Sequence, residues 1–125
     1  MARQDPVKVD PKHYKVEFEN RHVRVLRIRY GPGEQSVMHW HPVSVGVHLT
    51  AAHVRFTLPG GKTAELRVGA GEVRSYPAGD HLPENLSDVP LELVFIEPKP
   101  PAAAKPVERR AAGKKRLAKK STRRR

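Results

Sequence analysis

The chain contains no cysteine. That excludes a disulfide framework, a thiolate metal site and a thiol nucleophile, and it leaves the redox compartment open. No apolar run approaches the roughly 18 residues of a membrane-spanning helix. The opening residues, MARQDPVKVDPKHY, have no apolar stretch of the kind a secretory signal needs, so the expected location is the cytoplasm. Residues 14–98 show no helical period. The last segment is almost free of bulky aliphatic residues, with Leu117 alone in RRAAGKKRLAKKSTRRR.

Acidic residues are also scarce, but only at one end. The net charge is +11 over 125 residues. From Lys99 onward twelve Lys or Arg stand against Glu108, whereas residues 1–98 hold twelve basic and twelve acidic residues. The sequence therefore describes a neutral body with a basic tail. Four prolines between Pro98 and Pro106 forbid a regular strand or helix where the tail begins. A segment so poor in apolar area cannot offset the entropy of ordering, so residues 99–125 are expected to be a disordered extension. Charge alone would let it contact nucleic acid or another anionic surface, non-specifically and with strong salt dependence. No aromatic residue interleaves the charges, so base stacking is not expected of it. The other reading is a solvated tail without a partner.

What is present between the ends is β-like. Residues 1–13 read as a polar leader. After them, YKVEFEN aligns Tyr14, Val16 and Phe18, and HVRVLRIRY aligns Val23 with Val25, then Leu26 with Ile28 and Tyr30. The change of parity between Val25 and Leu26 predicts a bulge or bend. HVRFTL places Val54, Phe56 and Leu58 together, and PGGK reads as a hairpin turn. Short strands between Gly, Pro and Asn turns indicate an all-β sandwich or barrel over residues 14–98. A body of this size has a modest core, so a homodimer is expected to cover its remaining apolar surface.

The stretch VMHWHPVSVGVHLT carries the chemistry. Residues two apart on a strand share a face, so His39 and His41 aim together and Trp40 points away. Gly33 precedes them in GPGEQSVMHWH. Further on, GEVRSYPAGDHLPEN supplies Gly71, Pro77, Gly79, His81 and Asn85. The two stretches resemble the paired motifs of the cupin superfamily, with one residue rather than two between Gly79 and His81. RVLRIRYGPGE, HWHP, VRFTLPGGKTAELRV and PAGDHLPENLSD look like small single-domain bacterial cupins, some labelled β-alanine degradation proteins. The resemblance spans residues 15–97.

The resemblance implies an all-β cupin double-stranded β-helix, a jelly-roll barrel. It also implies a divalent metal, with zinc, iron, manganese or nickel as candidates, held by His39, His41 and His81. His81 would arrive from a second strand across the barrel. A metal cupin also offers a glutamate, which here would fall on Val45 or Gly46, so that ligand is absent. Glu34 and Glu84 are the nearest acids in sequence. Together with Asn85 and His48 they are the further pocket candidates. The valine alternation turns Val45, Val47 and Leu49 inward and His48 outward, whereas the cupin motif turns Gly46 and His48 inward. Two readings of the pocket stay open: a metal site acting on or binding a small molecule, and a metal-free site for a small ligand. An interaction protein working through its tail is the third reading.

Overall fold

The computed structural model describes residues 3–101. In chain order these form α1 (Pro6–Val9), β1 (Tyr14–Glu19), β2 (Val23–Tyr30), β3 (His39–His41) and β4 (Ser44–His48), then β5 (Ala52–Thr57), β6 (Thr63–Val68), β7 (Val73–Tyr76), β8 (Gly79–Asn85) and β9 (Leu91–Pro98). One sheet has the order β1-β2-β9-β4-β7 and the other the order β3-β8-β5-β6. Every strand pairing is antiparallel.

The core lies between the sheets. Leu26, Ile28 and Tyr30 of β2 and Leu91, Leu93 and Phe95 of β9 meet Ala52 and Val54 of β5 and Val68 of β6. Burying such a side chain contributes about 1.5–3 kcal/mol, which fixes the face each strand turns inward. The hairpin expected at PGGK joins β5 to β6, with Leu58 N–H donating to the Lys62 carbonyl at 2.7 Å. Gly60 and Gly61 both have φ of 92°, a conformation that only glycine adopts cheaply.

The irregularity expected near Val25 sits on the neighbouring strand. β2 runs unbroken against β9, from Val23 opposite Pro98 to Tyr30 opposite Leu91. On β1, Val16 faces Leu26 and Phe18 faces Val25, which leaves Glu17 as an extra residue. The bulge moves Phe18 to the outer face beside Val25, while Leu26 points to the core.

β4 settles the conflict over its valines. Ser44, Gly46 and His48 are buried, whereas Val43 and Leu49 are exposed. The cause is the partner strand: Gly46 stands opposite Phe95 and His48 opposite Leu93, and both partners belong to the core. Directly opposed residues share a face, so His48 is drawn inward. The valines line the outer face of the five-stranded sheet. Across that face Phe18, Val25, Ile96 and Val45 stand in one row, and Val94, Val47 and Val73 in the next. Phe18 is 56% and Val73 58% exposed.

The N-terminal residues expected to form a leader pack on the body. Asp5 caps α1 by accepting from Val7 N–H at 3.0 Å, and Pro6, Asp10 and His13 are buried. Trp40 N–H donates to the Gln4 carbonyl at 2.8 Å, so the segment runs along the free edge of β3. Of the expected tail, only residues 99–101 fall among the described residues; its remainder, 102–125, lies outside them. No helix among the described residues is long and apolar enough to cross a membrane.

Candidate metal centre

β3 is three residues long, and its alternation decides where its side chains go. His39 and His41 are 0% and 3% exposed, and half-buried Trp40 faces the other way beneath the Arg3 guanidinium, 4.1 Å from the ring centre. His81 does not come from across the barrel. β8 is the immediate neighbour of β3, and His81 stands directly opposite His39 in the ladder. Strand order is a tertiary property, so the local pattern could not disclose this adjacency. The cross-strand pair brings His39 Nε2 and His81 Nε2 to 3.1 Å. One ring nitrogen from each of the three histidines lies within 4.8 Å of the others.

The far side of each ring is held. His39 Nδ1–H donates to the Val37 carbonyl at 2.9 Å, which leaves Nε2 with a lone pair aimed into the cluster. His41 Nδ1–H donates to Glu97 at 2.7 Å and frees its own Nε2 in the same way. Carboxylate or carbonyl partners of this kind fix the tautomer and orient the ring. Glu97 is buried, and its other oxygen accepts from Arg24 at 2.9 Å; Arg24 continues to Asp5 through two bonds of 3.0 and 3.1 Å. Behind His39, Ser36 Oγ stands 3.2 Å from Nδ1 and donates to Asp10. Asp10 holds His13 Nδ1 at 2.8 Å, and His13 Nε2 reaches Glu34 at 2.9 Å. The His81 ring stacks on Phe56 with centres 5.0 Å apart.

Electrostatics keep two of the rings neutral. Burial, followed by repulsion from His41, pushes His39 down to about 4. The same causes, joined by repulsion from His39, push His81 down to about 3. Neutral imidazole is the form that binds a metal ion.

Gly46 shows why the glutamate of the motif is missing. A Cβ at this inward position would lie 2.7 Å from Cε2 of Tyr76, so no side chain stands here unless the Tyr76 ring moves. Tyr76 occupies that space, and its hydroxyl contacts His48 Nε2 at 2.7 Å. Burial raises Tyr76 to about 12 and lowers His48. Beside the cluster lies a cavity of about 50 Å³, walled by His41, His48, Phe56, Tyr76, His81 and Phe95 among others.

The remaining expected pocket residues divide. Glu84 and Asn85 reach the cavity wall. Asn85 is 1% exposed and is spent on loop structure, donating to the Gly31 and Val89 carbonyls and accepting from Ser87. Glu34 stays outside the cavity wall and binds Lys12, His13 and Gly31 N–H, which together hold it down to about 2, the backbone bond foremost. Asp10, Arg24, Ser36, Tyr76 and Glu97 were not anticipated. For Glu97 a signal existed: LELVFIE puts it in phase with Leu91, Leu93 and Phe95, an acid on a core face.

No family model matches the chain, and no curated protein matches it in sequence. Solved structures do. A cupin domain from Bordetella pertussis Tohama I is 28% identical, with a TM-score of 0.64, over 70% of this chain and 92% of that one. A double-stranded β-helix protein from Klebsiella pneumoniae is 20% identical, with a TM-score of 0.54, over 66% and 72%. A cupin 2 conserved barrel protein from Salinispora arenicola is 18% identical, with a TM-score of 0.53, over 70% and 76%. The fold is the cupin double-stranded β-helix, and three of its inward histidines stand close enough together to hold a metal ion.

Proposed function

We propose that the chain is a cupin that holds one divalent ion, drawn from zinc, iron, manganese and nickel, on His39, His41 and His81, and takes a small molecule in the adjoining cavity. The observation that carries this is the 3.1 Å between His39 Nε2 and His81 Nε2, with His41 alongside. Metal–imidazole bonds are about 2.0–2.1 Å, so two such nitrogens on one ion stand roughly 3 Å apart. Val37 and Glu97 hold the His39 and His41 tautomers that ligation requires, and burial keeps His39 and His81 unprotonated. Tyr76 closes position 46 to a fourth protein ligand, which leaves coordination positions for water or substrate. When bound, such an ion supplies Lewis-acid polarisation of a coordinated oxygen. The wording shared with cupins labelled β-alanine degradation proteins makes β-alanine one compound to screen.

Elemental analysis of the untagged protein tests the reading, beside a His39→Ala/His41→Ala double variant. About one ion per chain is expected, and its loss in the variant. No ion after reconstitution with each of the four metals would remove the metal reading. The metal-free ligand site would then stand, favoured by the same contact read as an N–H···N bond from His81 to His39.

The outer rows of valine, isoleucine and phenylalanine favour a homodimer built on the five-stranded sheet. Light scattering across a dilution series tests it, and a monomer at micromolar concentration would refute it. The charge of residues 99–125 supports salt-dependent contact with nucleic acid. Deleting residues 102–125 is expected to abolish retention on DNA at low salt while leaving the body folded. The domain limits 14–98 and the cytoplasmic location belong to the same proposal.

A further inference from the structure

His48 has one polar atom too few accounted for. It is 4% exposed, and its Nδ1 is the buried side-chain polar atom without a partner among the described residues. Its other nitrogen is committed to the Tyr76 hydroxyl at 2.7 Å. Which atom donates in that contact decides what Nδ1 is. Take the Tyr76 hydroxyl as the donor and Nε2 as the acceptor. The imidazole is then the tautomer with hydrogen on Nδ1. The atom left over is an N–H donor, and a buried donor without an acceptor is costly.

Both residues line the cavity, whose remaining wall is mainly aliphatic and aromatic: Ile28, Val54, Leu66, Leu93 and Phe95 among them. A volume of about 50 Å³ is small. One water needs about 10–15 Å³ on the same measure, so the space suits roughly three to five non-hydrogen atoms. No lysine or arginine lines it and Glu84 does, so without a bound ion an anionic ligand would lie there with no counter-charge.

We propose that His48 Nδ1–H is the hydrogen-bond donor for a small neutral carbonyl compound, a short ketone, aldehyde or amide, bound in this cavity. Tyr76 is the positioning residue that sets the His48 tautomer. The proposal rests on the cavity being a small-molecule site and not on a bound metal. Carbonyl oxygen accepts without donating, which matches a lone donor. The apolar wall accommodates the carbon chain.

The test uses the full chain labelled with ¹⁵N-histidine, as purified and after dialysis against EDTA, with 2-butanone and acetone as probes. The His48 signals are expected to show hydrogen on Nδ1. Titration with 2-butanone should shift them with a Kd in the millimolar range, as small ligands of this size give. His48→Phe should weaken the ketone at least tenfold, and His48→Gln, which keeps a donor, should retain much of the affinity. Tyr76→Phe should mix the two His48 tautomers and weaken binding without changing metal content. Hydrogen on Nε2 in the free protein would overturn the proposal. So would equal ketone affinity in His48→Phe, or tighter binding of β-alanine than of 2-butanone. Metal content measured on the same samples keeps this outcome separate from that of the histidine cluster.

Discussion

Replacing Glu97 by Gln changes one atom of a buried carboxylate and asks whether its charge matters to the proposed metal centre. Glu97 accepts on both sides, from His41 Nδ1 at 2.7 Å and from Arg24 Nε at 2.9 Å. A glutamine has one acceptor and one donor end, so it can satisfy only one of these neighbours. With its oxygen toward His41, its amide hydrogens meet the Arg24 N–H, and one charge-assisted bond is lost, at about 1.5–3 kcal/mol. With its amide toward His41, the imidazole must move its hydrogen to Nε2, the atom that the proposed ion would need. Partners of ligating histidines typically carry 10–100-fold in affinity, or about 1.4–2.7 kcal/mol. The expectation is that Glu97→Gln binds Zn²⁺ 10–100-fold more weakly and unfolds at lower urea. Competition with a chromogenic chelator measures the first and a urea titration the second. Equal Zn²⁺ affinity in a folded variant would refute the argument that Glu97 orients His41. A fall in stability alone would make Glu97 a structural residue.

Three further expectations follow from named contacts. His39 and His81 have folded-state values of about 4 and about 3 against an ordinary 6.5, so the unfolded chain binds more protons below that value. Stability of the EDTA-treated protein should be full above about pH 6.5 and fall through pH 4, by about 3 kcal/mol for His39. The two contributions overlap because each contains repulsion from a neighbouring ring, and a urea midpoint unchanged between pH 7 and 4 would contradict them. Gly46→Ala should cost about 1–3 kcal/mol by forcing Tyr76 aside, and much less when combined with Tyr76→Ala. Thermal melts of the four proteins decide this, and additive losses would refute the contact. Asn85→Ala should cost about 1–3 kcal/mol by removing its bonds to the Gly31 and Val89 carbonyls and to Ser87, with metal content unchanged; metal loss in a folded variant would place Asn85 in the site instead.

The strands and the His-x-His pair were legible because alternation is local. Tyr14, Leu26, Ile28, Val54 and Phe56 all face the core as their spacing predicts. β4 was not legible by pattern, because its valines line an apolar outer face and its inward positions hold Ser44, Gly46 and His48. With apolar residues on the solvent side, polarity stops reporting direction, and only the register with β9 decides. The histidine spacing announced a cluster, but the partners of the rings come from distant segments: Glu97 lies 56 residues from His41. Asp10 lies in a stretch whose composition reads as a leader, and only its burial beneath Ser36 and His13 discloses its place.

The N-terminal segment has a practical side. Gln4 pairs with the free edge of β3, Arg3 covers Trp40, and Asp5 grips the arginine that steadies Glu97. The beginning of the chain is thus a guard for an exposed strand edge and the outermost link of a hydrogen-bonded line that ends on His41. An affinity tag fused close to Arg3, or a protease cut that trims past Asp5, would touch both at once. Such a preparation could lose edge protection, gain a tendency to self-associate, and loosen a histidine buried well inside the barrel. A tag placed away from residues 3–5 leaves these contacts alone.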